Sequence, residues 1–264
     1  MSERYAVIGN PVAHSKSPQI HAAFARATHQ DIEYGRIEAP LDGFAQAVEH
    51  WRRSGGKGLN VTLPFKHEAF GLCDRVSERA RLAQAVNTMR LDDSFGDNTD
   101  GIGLVRDLAG NLGLSLHGKA ILLLGAGGAA QGVAGALLEA GLSRLVIANR
   151  AVAKAEALTA RLPGASACGY DALAGQRFDL VINATSAGLT DESPPLPRGV
   201  LNPACIAYEM VYGRDTPFLS AARSAGARAF DGLGMLVEQA AESFFIWRGV
   251  RPATRPVLAA LRGA

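Results

Sequence analysis

The sequence predicts an α/β protein of two domains, in which apolar strands alternate with amphipathic helices from one end to the other. Three observations predict it. Short apolar runs alternate with longer helical ones along the chain, the rhythm of a layered α/β architecture. The 264 residues give room for two domains of ordinary size. Hydrophobic residues make up 48% and charged residues 20%, the balance of a packed globular chain with no repeat or low-complexity segment.

In the first half the pattern reads as strand Tyr5–Gly9, helix Ser17–His29, strand Glu33–Glu38, helix Leu41–Ser54 and strand Gly58–Leu63. Ser17 can cap the first helix and Pro18 fits its first position, where a missing N–H costs nothing. A strand near Val86–Leu91 follows, then a helix opening near Asp100 and running through Leu104 and Leu108. From Lys119 the order becomes strand Ala120–Leu124, helix Gly128–Glu139, strand Leu145–Ala148 and helix Ala153–Arg161. Strands at Asp179–Asn183 and Ala204–Val211, helix Thr216–Ser224 and strand Ala227–Asp231 come next. Gly141 stands where a helix end wants a residue of positive φ. Helices Met235–Arg248 and Thr254–Arg262 close the chain. The first of these is apolar nearly all round, so it is expected to be packed between elements and to cross back to the first domain. That gives residues 1–101 joined by 234–264 as one domain and 102–233 as the other.

Several function classes are excluded at this level. A formal net charge of +2, with no basic run, gives no electrostatic footprint for nucleic acid or a membrane surface. Cys73, Cys168 and Cys205 are odd in number and far apart, so neither a disulfide framework nor a CxxC metal site is expected. The six histidines lack metal-ligand spacing, and His14 and His21 are read as structural or solvent-facing. No leader pattern or membrane span is legible, which points to the cytoplasm. No surface pattern distinguishes a monomer from a homodimer.

The strongest local signal is ILLLGAGGAAQGVAGALLEAG, Ile121 to Gly141. An apolar strand runs into Gly125, Gly127 and Ala130 in the spacing G-x-G-x-x-G/A, and an amphipathic helix follows. Gly125 allows the tight turn, Gly127 lets the backbone approach a pyrophosphate, and Ala130 lets helix and strand pack closely. The helix N-terminus offers N–H groups and a partial positive charge to phosphates. This is the dinucleotide fingerprint of a Rossmann-type, doubly wound fold. The second strand ends at Asn149-Arg150, where an NAD-selective site carries an acid. Arg150 can instead pair with a 2′-phosphate, with Lys154 one turn on as a second cation, so NADP is the expected cofactor. Asn183 to Gly188 follows a further apolar strand, a position at which such sheets bind ligands.

Four polar clusters in the first half each follow an apolar strand: His14 to Pro18, Asn60 to Lys66, Ala85 to Thr88, and Asp97 to Gly101. Together they make one face of hydroxyls, amides and a Lys/Asp pair, suited to a polyhydroxylated small acid. The pair supplies what carbonyl reduction needs, a proton donor and a group to orient it.

The strings VIGNPVAHSKSPQIH, GLNVTLPFK, AVNT, DNTDGIG, GAGGAAQG, NR, NATSAG, YEMVYGRDTPFL and DGLGMLVEQAA, in this order and spanning nearly the whole chain, resemble the bacterial shikimate dehydrogenase family. The resemblance implies an N-terminal α/β substrate domain followed by a Rossmann-type NADP domain, with the active site in the cleft between them. It implies reversible reduction of 3-dehydroshikimate to shikimate by NADPH, a step of chorismate and aromatic amino-acid biosynthesis. By the same resemblance Lys66 and Asp100 are the catalytic pair, Lys66 giving the proton as the keto oxygen receives hydride. Ser15, Ser17 and Tyr212 fall at carboxylate-binding positions; Asn60, Thr62, Asn87 and Gln239 bind the hydroxyls or line the site. Gly125, Ala126, Gly127, Gly128 and Ala129 match the pyrophosphate loop. Asn149, Arg150 and Lys154 match the 2′-phosphate side, while Thr185, Met210 and Gly232 fall at further cofactor positions.

Three residues depart from the family's pattern. Ala151 stands where Thr is frequent, Lys154 where Arg is frequent, and Glu209 where Asp is commoner. Two other readings use the same strings: a quinate/shikimate dehydrogenase that accepts NAD, and a non-catalytic dinucleotide sensor. Arg150, Ser15 and Ser17 argue against the first, and the presence of Lys66 with Asp100 against the second.

Overall fold

Each sheet in the computed structural model, which describes residues 2–189 and 192–263, belongs to its own compact unit. One unit comprises the described residues up to Gly103 together with those from Leu236 onward; the other runs from Leu104 to Met235.

The first unit opens with β1 (Glu3–Gly9), α1 (Ser17–Thr28), β2 (Ile32–Glu38), α2 (Phe44–Arg53) and β3 (Gly56–Val61). Beyond them come α3 (Lys66–Leu72), β4 (Arg75–Val76), α4 (Glu78–Ala83), β5 (Thr88–Arg90) and β6 (Phe95–Asp97). The strands stand in the order β2-β1-β3-β5-β6-β4, with β1 parallel to both neighbours and β5 antiparallel to β3 and β6. Alternation along β1 sends Ala6 and Ile8 into a core with Phe44, Leu59, Phe65 and Val86, while Tyr5 stacks on Trp247 at 4.7 Å.

The second unit holds β7 (Ala120–Leu124), α6 (Gly128–Glu139), β8 (Arg144–Ala148), α7 (Val152–Thr159), β9 (Ala165–Cys168), β10 (Leu180–Asn183), β11 (Ile206–Glu209), α8 (Pro217–Ser224) and β12 (Arg228–Phe230). Its sheet is parallel throughout, in the order β12-β11-β10-β7-β8-β9. The strand order reverses between β7 and β10, the switch point at which open α/β sheets bind ligands. Successive residues of β7 feed opposite cores, Ile121 and Leu123 on one face and Leu122 and Leu124 on the other. That double burial explains why these strands read as continuous apolar runs. α5 (Asp100–Arg106) and α9 (Leu233–Arg248) contain the points where the chain passes from one unit to the other, and α10 (Arg255–Arg262) follows. Among the described residues no helix is long and apolar enough to cross a membrane.

The structure departs from the sequence reading in particular places. Ser17 does not cap α1: Lys16 holds the N-cap position without a side-chain bond, and the Ser17 hydroxyl instead accepts from Ser15 at 3.2 Å. Pro18 does occupy the first turn, and Gly141 adopts φ +74, where a Cβ would meet His117 Nδ1 at 2.6 Å. The short elements α3, α4, β4, β6 and β9 carry too little periodicity to be read. α4 is nonetheless signed by Ser77, whose hydroxyl accepts from the Ala80 N–H at 3.1 Å.

Two outcomes follow from the packing. Phe44 is fully buried and stacks on Phe65 at 4.7 Å, one residue before Lys66. Phe44→Ala is expected to cost about 3–5 kcal/mol in urea unfolding, and a loss under about 1 kcal/mol would mean the cavity closes without strain. Glu209, at the end of β11, is wholly buried, and that burial pushes its carboxyl above the ordinary 4.5 despite bonds from Val211 N, Asn183 and Thr216. The folded chain therefore binds this proton more tightly than the unfolded chain. Its contribution is present below pH 4.5 and is lost as pH rises through the raised folded value. Glu209→Gln should flatten that part of the stability profile, measured by denaturant midpoints across the range.

Candidate active site

In the first unit the polar clusters converge through hydrogen bonds. Lys66 opens α3, and its Nζ donates to Asp100 Oδ2 at 2.5 Å. The other oxygen of Asp100 accepts from Asn87 Nδ2 at 2.7 Å, and its backbone N–H donates to Asn98 Oδ1 at 3.1 Å. The carboxylate is thus held on both oxygens. The Lys66 side chain keeps 17% exposure against 9% for Asp100, so the ammonium is the member open to a ligand.

Asn87 is the hub of this region. Its amide also donates to Thr99 Oγ1 at 3.0 Å, and its carbonyl accepts from Thr99 N at 2.8 Å and Thr88 Oγ1 at 2.9 Å. Gln239 Oε1, on α9, accepts from Thr99 Oγ1 at 3.3 Å and lies 3.5 Å from Asn87 Nδ2. Asn60 joins from β3, donating to Ser243 Oγ at 2.9 Å and to Asn87 O and Thr88 Oγ1 at 3.2 Å each. Its carbonyl accepts from Tyr34 OH at 2.7 Å. A close approach supports the geometry: a Cβ on Gly103 would meet the Gln239 backbone N at 2.8 Å, so α5 can lie this near only with glycine there.

Lys66, Asp100, Asn87, Asn60 and Gln239 therefore belong to one bonded network. Ser15 and Ser17 form a separate pair, whose loop is pinned by Arg36 Nη2 donating to Ser15 O at 2.6 Å. Ser17 lies beside Tyr34 OH, and burial raises the phenol well above its ordinary range, more than the Ser17 hydroxyl and Arg36 lower it. Thr62 packs its methyl where a Gly9 Cβ would stand, 2.3 Å away, and lies outside the bonded network. Sequence reasoning missed Tyr34 and Ser243. Ser243 was within reach, since it follows Gln239 by one helical turn on the same face.

His21 is wholly buried and stacks on Tyr34 at 4.2 Å, in a cage with Phe24, Phe244 and Trp247. Neither ring nitrogen has a hydrogen-bond partner; Asn60 lies beside the ring without completing one. Burial lowers its pKa to about 3, leaving it neutral. His14 is exposed.

The second unit assembles its own candidates around the switch point. Gly125 has φ +105, and its Cβ would stand 3.0 Å from Ala184 O, so the loop after β10 closes over the turn after β7. At Gly127 a Cβ would meet nothing within 4 Å, and no side chain caps α6 there. The turn thus leaves an open cradle of backbone N–H groups through Gly128 and Ala129, with Ala126 and Ala130 buried beneath it, the fit a pyrophosphate requires. Thr185 Oγ1 donates to Asn183 Oδ1 at 2.7 Å, and Asn183 Nδ2 to Glu209 Oε2 at 2.7 Å. Glu209 also accepts from Thr216 Oγ1 at 3.1 Å and Val211 N at 3.2 Å, so the acid that departs from the family's pattern anchors the Met210–Tyr212 segment. A Cβ on Gly232 would fall 2.2 Å from Met210 O, which only glycine permits.

Arg150 and Lys154 are exposed at the end of β8 and the start of α7. Burial raises the nearby Tyr170 phenol, and the Arg150 charge opposes that rise. Ala151 is the N-cap of α7 with no side-chain bond, and Asn149 Nδ2 donates to its carbonyl at 2.8 Å. Tyr212 is half-buried in this unit.

Three family models match the chain: the shikimate dehydrogenase substrate binding domain over residues 7–89, shikimate/quinate 5-dehydrogenase over 107–190, and the shikimate 5′-dehydrogenase C-terminal domain over 232–262. The shikimate dehydrogenase (NADP(+)) of Methylobacillus flagellatus is 59% identical, with 99% of this chain and 100% of the relative covered. That of Aromatoleum aromaticum is 57% identical over 98% of this chain and 97% of its own. Among solved structures, an Ael1 enzyme from Pseudomonas putida superposes with TM-score 0.94 at 55% identity, covering 98% of each chain. The shikimate 5-dehydrogenase of Thermus thermophilus in complex with NADP(H) and shikimate gives TM-score 0.89 at 35% identity, covering 99% of each. The chain belongs to the shikimate dehydrogenase family.

Proposed function

We propose that this chain reduces 3-dehydroshikimate to shikimate with NADPH, and runs the reverse reaction with NADP⁺, as a step toward chorismate and the aromatic amino acids. The observation that carries the reading is the Lys66–Asp100 pair at 2.5 Å, whose carboxylate is fixed on its far side by Asn87. NADPH, when bound, supplies the hydride that reduces the keto carbon. Lys66 Nζ gives a proton to the keto oxygen as the carbonyl becomes an alcohol, and takes it back in oxidation. Asp100 keeps the Lys66 ammonium aimed, and Asn87 keeps Asp100 from turning away. Asn60, Thr62, Asn87 and Gln239 bind the substrate hydroxyls or line their pocket, while Ser15, Ser17 and Tyr212 receive its carboxylate. On the cofactor side, Gly125 to Ala129 would hold the pyrophosphate, and Asn149, Arg150 and Lys154 the 2′-phosphate. Thr185, Met210 and Gly232 complete that surface. The residues up to about 101, with those from about 234, form the substrate-binding domain of this reading; those between form the NADP domain. The working form is a monomer or homodimer in the cytoplasm, without a nucleic-acid or membrane partner.

The deciding assay follows near-ultraviolet absorbance with shikimate or quinate, each paired with NADP⁺ or NAD⁺. Turnover concentrated in shikimate with NADP⁺ is expected. Comparable quinate or NAD⁺ turnover would move the chain to the broader quinate/shikimate group, and absent turnover with dinucleotide still bound would favour a sensor. Lys66→Ala should lower turnover by about 10²-fold or more with a smaller change in substrate KM; near-normal turnover of the folded variant would take the proton from another group. Arg150→Ala should raise KM for NADP⁺ more than KM for NAD⁺, and equal effects would remove the 2′-phosphate role.

A further inference from the structure

Arg79 has no part in the reaction as described, yet its side chain joins the two segments that carry Asp100 and Gln239. Its Nε donates to Asp97 Oδ1 at 2.7 Å and its Nη2 to Asp97 Oδ2 at 2.6 Å, a two-pronged grip on one carboxylate. The same Nη2 reaches Glu242 Oε1 at 3.0 Å. Asp97 is 3% exposed and Glu242 6%, so both acids are desolvated and both are paired with this cation, Asp97 also accepting from the Ser77 hydroxyl. Arg251 Nη2 reaches the second Glu242 oxygen at 2.7 Å. Burial acts against the Arg79 charge, but the hydrogen bonds and charges of Asp97 and Glu242 more than offset it and hold the guanidinium protonated.

Each prong leads to the site. Asp97 Oδ1 accepts the Asn98 N–H at 2.7 Å, and Asn98 Oδ1 accepts the Asp100 N–H at 3.1 Å. The grip on Asp97 therefore sets the turn that presents Asp100 to Lys66. Glu242 stands on α9 three residues after Gln239 and next to Ser243, so the grip on Glu242 fixes the height and rotation of the helix that carries them. A planar guanidinium can bridge two carboxylates in fixed geometry; a lysine ammonium, a point charge on a flexible stem, cannot.

We infer that Arg79 is a positioning residue for the reduction, acting through Asp97 on Asp100 and through Glu242 on Gln239. The inference rests on the reading of Lys66 and Asp100 given above. The two arms touch different constants. Misaiming Asp100 disturbs proton transfer and hence kcat, whereas shifting Gln239 disturbs substrate binding and hence KM for shikimate. The cofactor candidates belong to the other unit, so KM for NADP⁺ is the internal control.

The test is steady-state kinetics of Arg79→Met, Arg79→Lys and Glu242→Gln beside Lys66→Ala, with folding checked by circular dichroism. Arg79→Met is expected to lose about 10-fold or more in kcat/KM for shikimate while KM for NADP⁺ stays within about twofold. Arg79→Lys should recover only part of that loss. Glu242→Gln should raise KM for shikimate about three- to tenfold with a smaller change in kcat. If Arg79→Met does not fold, Arg79→Lys and Glu242→Gln decide. Folded variants with wild-type kcat and shikimate KM overturn the positioning role, even if their Tm falls. An inactive Lys66→Ala beside unaffected Arg79 variants overturns that role alone; an active Lys66→Ala overturns it together with the reading on which it rests.

Discussion

An ion pair sunk into a protein interior survives only when its remaining hydrogen-bonding capacity is met, because the loss of hydration otherwise outweighs the attraction. The Lys66–Asp100 pair meets that condition through Asn87, and most of the first unit's polar interior is arranged around that need. Asn87 spends its amide and carbonyl on Thr99, Thr88 and Asp100, and these bring in Asn60, Gln239 and Ser243. Side chains from β3, β5, α5 and α9 thus share one set of bonds. Rearranging any one of them leaves a buried donor or acceptor unmatched, which is what makes the constellation rigid.

The second unit solves a different problem by different means. Its turn after β7 is shaped by the absence of side chains, with Gly125 in the left-handed region and Gly127 open above α6. Around that void the loops after β10 and β11 are fastened to each other by Asn183 and Glu209. The carboxylate of Glu209 gathers three donors from three segments, so a longer acid than the family's usual Asp is accommodated with its lone pairs used. In the proposed reading, anion recognition here comes from backbone and helix terminus, with exposed Arg150 and Lys154 adding charge beyond them.

Much of this is legible in the sequence, and the exceptions have physical reasons. The parallel sheet of the second unit announces itself because strands buried on both faces cannot hide their apolar runs. Lys66, Asp100 and Asn87 stand out as members of polar clusters after strands, the loops where layered folds place ligand contacts. Between Lys66 and Asp97, α3 and α4 escape because six or seven residues make too few turns for periodicity, and β4 and β6 because two or three residues are too short to alternate. Ser17 reads as a cap because a hydroxyl stands at the right place, while the bond it takes instead from the Ser15 hydroxyl leaves no mark in the sequence. Arg79 was invisible for a general reason: its partners lie 18 and 163 residues away, and no local pattern records such a bond.

His21 shows how far a residue's chemistry can be silenced by its surroundings. Enclosed by aromatic rings, with both nitrogens idle and its pKa near 3, it serves the fold as a flat disc and not as an acid or base. What the ring supplies is thickness, a flat face stacked on Tyr34 while the Tyr34 hydroxyl donates to Asn60.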